Sequence, residues 1–188
     1  MKNLFTFVIF TFSVLCLNSA QSHALKYTYC TGPDQSAACF IALEKLRTIK
    51  NPITGKIFFD DDIHYTDGDL FMYPSYSIAQ TDLDSDGFAE IIVAIPEPEQ
   101  ELEGMFCRTP IECPHYILQD RNIDNKKMSF SKIKAMGPIY AFAIGLSTDE
   151  VVGGYKSLRV YTDPKSGAFN VYQYDRKNDD YFNITVPQ

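Results

Sequence analysis

The run Asp82-Leu83-Asp84-Ser85-Asp86-Gly87-Phe88-Ala89-Glu90 sets carboxylates at its first, third, fifth and ninth positions and a glycine at its sixth. Alternate side chains of a tightly curved loop converge on one centre, and glycine permits the sharp turn. Carboxylates packed that densely repel one another unless a hard divalent cation sits among them. The backbone carbonyl of Phe88 stands where a further oxygen ligand is needed. A catalytic metal keeps an open coordination position and attracts histidine; the loop contains none. The spacing therefore predicts a structural calcium ion that neutralises the carboxylates and locks a hairpin. The competing reading is a metal-free turn, because Asp and Gly favour turns in any case.

The first half of the run follows the EF-hand calcium loop, but the second half departs from it. The twelfth position is Val93, not Glu, and Glu90-Ile91-Ile92-Val93-Ala94-Ile95 reads as a strand. The pattern D-x-D-x-D-G-x-x-E between two strands resembles the calcium loop of FG-GAP and integrin-type repeats. That resemblance spans residues 76–96 and implies Ca2+ held by Asp82, Asp84, Asp86, the Phe88 carbonyl and Glu90. Glu90 stands where the family more often has Asp. A stretch this short does not carry a whole propeller with it.

Other groups offer less. Asp60-Asp61-Asp62, continued by Asp67-Gly68-Asp69, lacks the alternation and reads as a solvated turn. His64 and His115 have no nucleophile at a recognisable spacing, and neither a P-loop, a G-x-S-x-G nor an H-E-x-x-H motif occurs. Triads assemble in space, so a secreted hydrolase acting on glycans or esters stays open as an alternative.

The elements that must hold the loop belong to a chain of 188 residues, 45% hydrophobic and 22% charged, with a net charge of -7. Such a composition is globular. Its acidity argues against nucleic acid as a partner, since no excess of Lys and Arg exists to neutralise phosphates. Residues 1–24 read as a secretory signal peptide: Lys2, an apolar run from Leu4 to Leu17, then Ser22-His23-Ala24 as a small-residue cleavage site. Cleavage is expected after Ala24, with Ala20 as the other option. The apolar run is too short for a membrane span, and none is expected in the mature chain. Residues 25–188 are then one domain, and loss of Lys2 takes its charge to about -8.

Four cysteines remain, Cys30, Cys39, Cys107 and Cys113. An even number in an exported chain predicts disulfides, with three connectivities open and local pairing the simplest. The expected location is periplasmic or secreted.

The expected fold is mainly β, a β-rich α+β arrangement of antiparallel sheets and hairpins, propeller-like, with one N-terminal helix. The helix starts at Pro33-Asp34-Gln35-Ser36 and runs to Lys50. Strands are expected at Lys56–Phe59, Asp69–Tyr73, Tyr76–Gln80, Glu90–Ile95, Tyr116–Leu118, Ser129–Ile133, Ile139–Ile144, Leu158–Tyr161, Ala168–Tyr174 and Tyr181–Ile184, rich in Tyr, Phe, Val and Ile. Glu97–Glu103 and the stretch after it read as a surface excursion closed by a disulfide, and Pro164–Gly167 as a hairpin turn. With no catalytic constellation in view, the expected role is a non-enzymatic calcium-binding module with a protein partner. An acidic exported protein suits a cationic target, so an inhibitor of, or immunity protein against, a cell-wall hydrolase or toxin is the sharper expectation. A calcium-dependent adhesion or carbohydrate-binding module is the other non-enzymatic alternative.

Overall fold

A computed structural model describes residues 23–30, 36–55, 57–58, 66–67, 70–71, 76–96, 107–109, 112–120 and 133–185. The helix α1 covers Ala37–Leu46. Its start is fixed by Ser36, whose hydroxyl accepts the Cys39 N–H at 3.3 Å and so satisfies one of the free donors of the first turn. The helix stops four residues short of the expected Lys50. The chain tightens there, with the N–H groups of Thr48 and Ile49 turning back to the carbonyls of Lys45 and Leu46.

The strands form two five-stranded antiparallel sheets and one small ribbon. The central sheet holds β2 (Thr28–Cys30), β5 (Tyr76–Thr81), β6 (Glu90–Ala94), β7 (Cys113–Asp120) and β8 (Ile133–Ala141), adjacent in that order. The outer sheet holds β1 (His23–Ala24), β9 (Ala143–Val152), β10 (Tyr155–Tyr161), β11 (Phe169–Asp175) and β12 (Asp180–Asn183), also in that order. The ribbon pairs β3 (Thr66–Asp67) with β4 (Leu70–Phe71). In each large sheet four consecutive strands run up and down, which is the connectivity of a propeller blade. Two such units among the described residues fall short of the four to eight blades that close a propeller.

The architecture is three layers: helix, central sheet, outer sheet. Strand alternation decides which residue faces which layer. Ile78, Ile91, Val93, Tyr116 and Leu118 join Ile41, Ala42 and Leu46 of α1 in one core. Ala79, Ile92, Ile117 and Met136 turn the other way and meet Ile144, Leu158, Val160 and Tyr174 in the second core. The sheet β6 crosses is covered on both faces, which is why the strand reads as an unbroken apolar run. Each fully buried Leu or Ile side chain contributes about 1.5–3 kcal/mol. Tyr76, fully buried, ties the first core together by donating its hydroxyl to the Cys39 carbonyl at 2.7 Å.

Disulfides join Cys30 to Cys39 and Cys107 to Cys113, the local pairing. The first links β2 to the opening turn of α1. Such bonds are the mark of an oxidising, extracellular compartment. No helix among the described residues is long and apolar enough to cross a membrane.

Several expected strands shift. The run expected over Ile139–Ile144 is the junction of two strands, β8 and β9, in different sheets, and Phe142 between them is exposed. Around Lys56–Phe59 the described residues carry only an isolated bridge from Ile57 to Lys50. The strand expected over Asp69–Tyr73 is described only as the two residues of β4. The β1 and β2 segments and the distal half of β9 were not expected. β1 pairs His23 with Leu146 and Ala24 with Gly145, so a chain cut after Ala20 keeps this strand and one cut after Ala24 loses it. The rest of the segment expected to be a signal peptide lies outside the described residues, as do most of the acidic stretch 60–69, His64 and the excursion 97–106.

Candidate metal centre

Thr81 and Glu90 face each other as the last pair of the β5–β6 hairpin, so residues 82–89 are its loop. Leu83 is fully buried in the core between the two sheets. This apolar plug pins the loop entry, with Asp82 and Asp84 on either side of it. Each aspartate then accepts a backbone N–H further along. Asp82 Oδ2 takes Gly87 at 3.1 Å, Asp84 Oδ1 takes Asp86 at 3.2 Å, and Asp86 Oδ1 takes Phe88 at 2.8 Å. The turns need left-handed backbone at Ser85 (φ 63°) and Gly87 (φ 92°), which is the use the sequence implied for the glycine.

The outcome is a group of three carboxylates, Asp82, Asp84 and Asp86, with one ligand oxygen from each within 4.8 Å of the others. The group could hold a metal ion. Asp82 Oδ1 is buried and has no hydrogen-bond partner. A buried anionic oxygen left bare is costly, and a cation beside it removes the cost.

Glu90 lies outside this three-residue group. Its side chain is buried and its Oε2 accepts the Leu83 N–H at 2.6 Å, bracing the loop from β6. Burial pushes the Glu90 carboxyl up to about 7, against the pull of the Leu83 N–H, and the Asp84 charge adds to the rise. Burial likewise raises Asp84, with Asp86 and Asp82 contributing repulsion. Carboxylates that resist ionising together are the arrangement a divalent cation relieves. Phe88 is 59% exposed, with its N–H committed to Asp86.

Three residues distant in sequence complete the surroundings, and sequence reasoning missed them. Lys156, at the start of β10, donates its Nζ to the Asp82 carbonyl at 2.6 Å and its main-chain N–H to the Leu83 carbonyl at 2.8 Å. The loop of the central sheet is thereby fastened to the outer sheet. Gln119 of β7 donates its Nε2 to Asp84 Oδ2 at 3.1 Å and also to the Tyr155 hydroxyl. The single sequence cue was Gln119 itself, a polar residue directly after the apolar Tyr116-Ile117-Leu118.

His115 is 2% exposed, and its Nδ1 lies 3.0 Å from the Cys113 carbonyl. Tyr27 packs edge-on against its ring at 5.9 Å. Burial lowers the imidazole to about 4. This histidine is packed into the fold, away from solvent.

Comparison with family models, curated proteins and solved structures finds no match for the chain.

Proposed function

We propose that the chain is an exported, non-enzymatic module stabilised by calcium, periplasmic or secreted, that binds a macromolecular partner. The observation carrying the calcium assignment is the three-aspartate group with its bare, buried Asp82 oxygen. Calcium suits these donors better than zinc or copper, because all are hard oxygens and no thiolate or imidazole joins them. The D-x-D-x-D-G-x-x-E spacing between two strands, like that of FG-GAP loops, supports the same ion. Its work is structural: it neutralises the loop that Lys156 fastens to the second sheet.

The partner reading rests on charge. A net charge of -7 and a pI near 4.9 favour encounter with a cationic protein, and a cell-wall hydrolase or secreted toxin has that chemistry. Phe88, exposed beside the carboxylate of Asp86, offers an aromatic anchor at an acidic site. The test is binding and inhibition of a cationic muramidase and other cationic wall hydrolases at low and high salt. We expect saturable binding that weakens with salt; no binding to any of them at low salt would overturn the partner assignment.

One observation favours a second reading, a calcium-dependent carbohydrate-binding module. On β10 and β11, Tyr161 and Phe169 lie with ring centres 5.7 Å apart, and the Arg159 guanidinium covers Phe169 at 4.9 Å. Of these two rings Phe169 is exposed, and an exposed ring on a sheet can stack on a sugar. Glycan-array binding that chelator abolishes would select this reading over the inhibitor.

A further inference from the structure

Gln119 is 6% exposed, and its Oε1 is buried without a hydrogen-bond partner. The other end of the same amide, Nε2, sits 3.1 Å from Asp84 Oδ2 and also meets the Tyr155 hydroxyl. The Gln119 side chain thus reaches Asp84, one of the three clustered aspartates, through its Nε2 end. The arrangement is uneven: the donor end has two acceptors, and the acceptor end has none. A neutral glutamine could have been replaced there by an apolar residue at little cost, whereas a half-satisfied buried amide is unfavourable. Calcium takes six to eight oxygens and accepts side-chain amide carbonyls among them. The three aspartates alone leave that shell incomplete.

We propose that Gln119 is a ligand of the cation, contributing its amide oxygen from β7, outside the loop. This rests on the calcium reading above. Asp84 and Gln119 then share one ion, and the terminal torsion of the glutamine sets which end of the amide faces it. In the metal-free protein Nε2 satisfies the bare Asp84 carboxylate; with the ion present the oxygen takes that side and accepts from the Tyr155 hydroxyl. The site thereby spans two elements of the central sheet, and through Tyr155 it touches β10 of the outer sheet. A local D-x-D-x-D-G-x-x-E motif cannot reveal such a ligand.

The experiment is calorimetric titration of the full folded chain with Ca2+, for wild type, Gln119→Leu and Gln119→Glu, with melting in chelator as the control for folding. Gln119→Leu should weaken Ca2+ by about 10–100-fold, the usual loss for a group supporting a metal site. In chelator it should still melt cooperatively, at a somewhat lower midpoint because Asp84 loses its Nε2 donor, so the Ca2+ affinity is read on folded protein. Gln119→Glu keeps an oxygen in place and adds charge, so it should bind Ca2+ at least as tightly as wild type. If Gln119→Leu binds like wild type, Gln119 is no ligand. If Gln119→Glu is weakened as much as Gln119→Leu, the amide serves Asp84 as a donor and the ligand assignment falls. A wild-type chain that takes up no Ca2+ would overturn the calcium reading itself, which sets that failure apart from the other two.

Discussion

The two oxygens of Asp82 differ in their surroundings: Oδ2 closes a turn with Gly87, while Oδ1 is buried and bare. That asymmetry separates this loop from an ordinary Asp-rich turn, where carboxylates face water. His115 presents the opposite situation, a titratable group with its needs met. Its Nδ1 meets the Cys113 carbonyl, the Ile139 backbone supplies a second contact, and Tyr27 covers the ring. Its folded pKa of about 4 lies below the ordinary 6.5. Protons therefore bind the unfolded chain first, and stability present above pH 6.5 is lost as pH falls towards 4. The size is about 3 kcal/mol. Glu90 works the other way in metal-free protein, because its raised carboxyl favours folding as pH falls from about 7 towards 4.5. The two slopes oppose each other, so the net curve hides both. Denaturant unfolding in chelator should show His115→Gln losing about 3 kcal/mol less than wild type between pH 6.5 and 4. Parallel curves would mean that His115 does not carry this term. At this scale the aspartates and Gly87 were legible, because one local turn uses all of them. Lys156, Gln119 and Tyr155 were not, since only the folded sheets bring them to the loop.

Among the elements, β6 was the easiest to foresee: its Ile91-Ile92-Val93-Ala94 stretch is apolar because both faces are covered. The helix start was equally plain, with Ser36 as the cap. The β8–β9 junction escaped because Ile139–Ile144 is apolar throughout, and hydrophobicity alone does not mark where a strand leaves one sheet for another. The outer half of β9 escaped because Asp149 and Glu150, both depleted in strands, interrupt it. Between β7 and β8 the register shifts by one residue, from the His115–Ile139 pair to the Ile117–Met136 pair. Gly137 occupies that irregularity at φ +113°, where an added Cβ would sit 2.8 Å from the His115 carbonyl oxygen. Backbone on one side and a left-handed dihedral on the other leave no room for adjustment. Gly137→Ala should destabilise by at least about 2 kcal/mol in chemical unfolding. An unchanged midpoint would show that β8 can shift there without cost.

The described residues form a helix, two large sheets and a small ribbon, with the aspartate group on the central sheet and its fastening from the outer one. The β5–β6 loop belongs to the central sheet, but its carbonyls at Asp82 and Leu83 are held by Lys156 of the outer one. A cation in the loop therefore stabilises the meeting of the layers as well as the hairpin. It also changes the charge account: an ion of charge +2 reduces the acidity that any partner meets. The β-rich class was legible from texture, and the two sheets were not, because their order depends on long-range pairing. In the function proposed above, the folded chain binds calcium through Asp82, Asp84 and Asp86. An ion that binds only the folded state at about one hundred times its dissociation constant adds about 2.7 kcal/mol. For a chain of this size that is a rise of roughly 5–10 °C. The direct measurement is the melting midpoint in calcium and in chelator, for wild type and Asp84→Ala. We expect wild type to melt higher in calcium by that amount and Asp84→Ala to melt alike in both; a wild-type midpoint that is the same in calcium and in chelator would contradict the assignment.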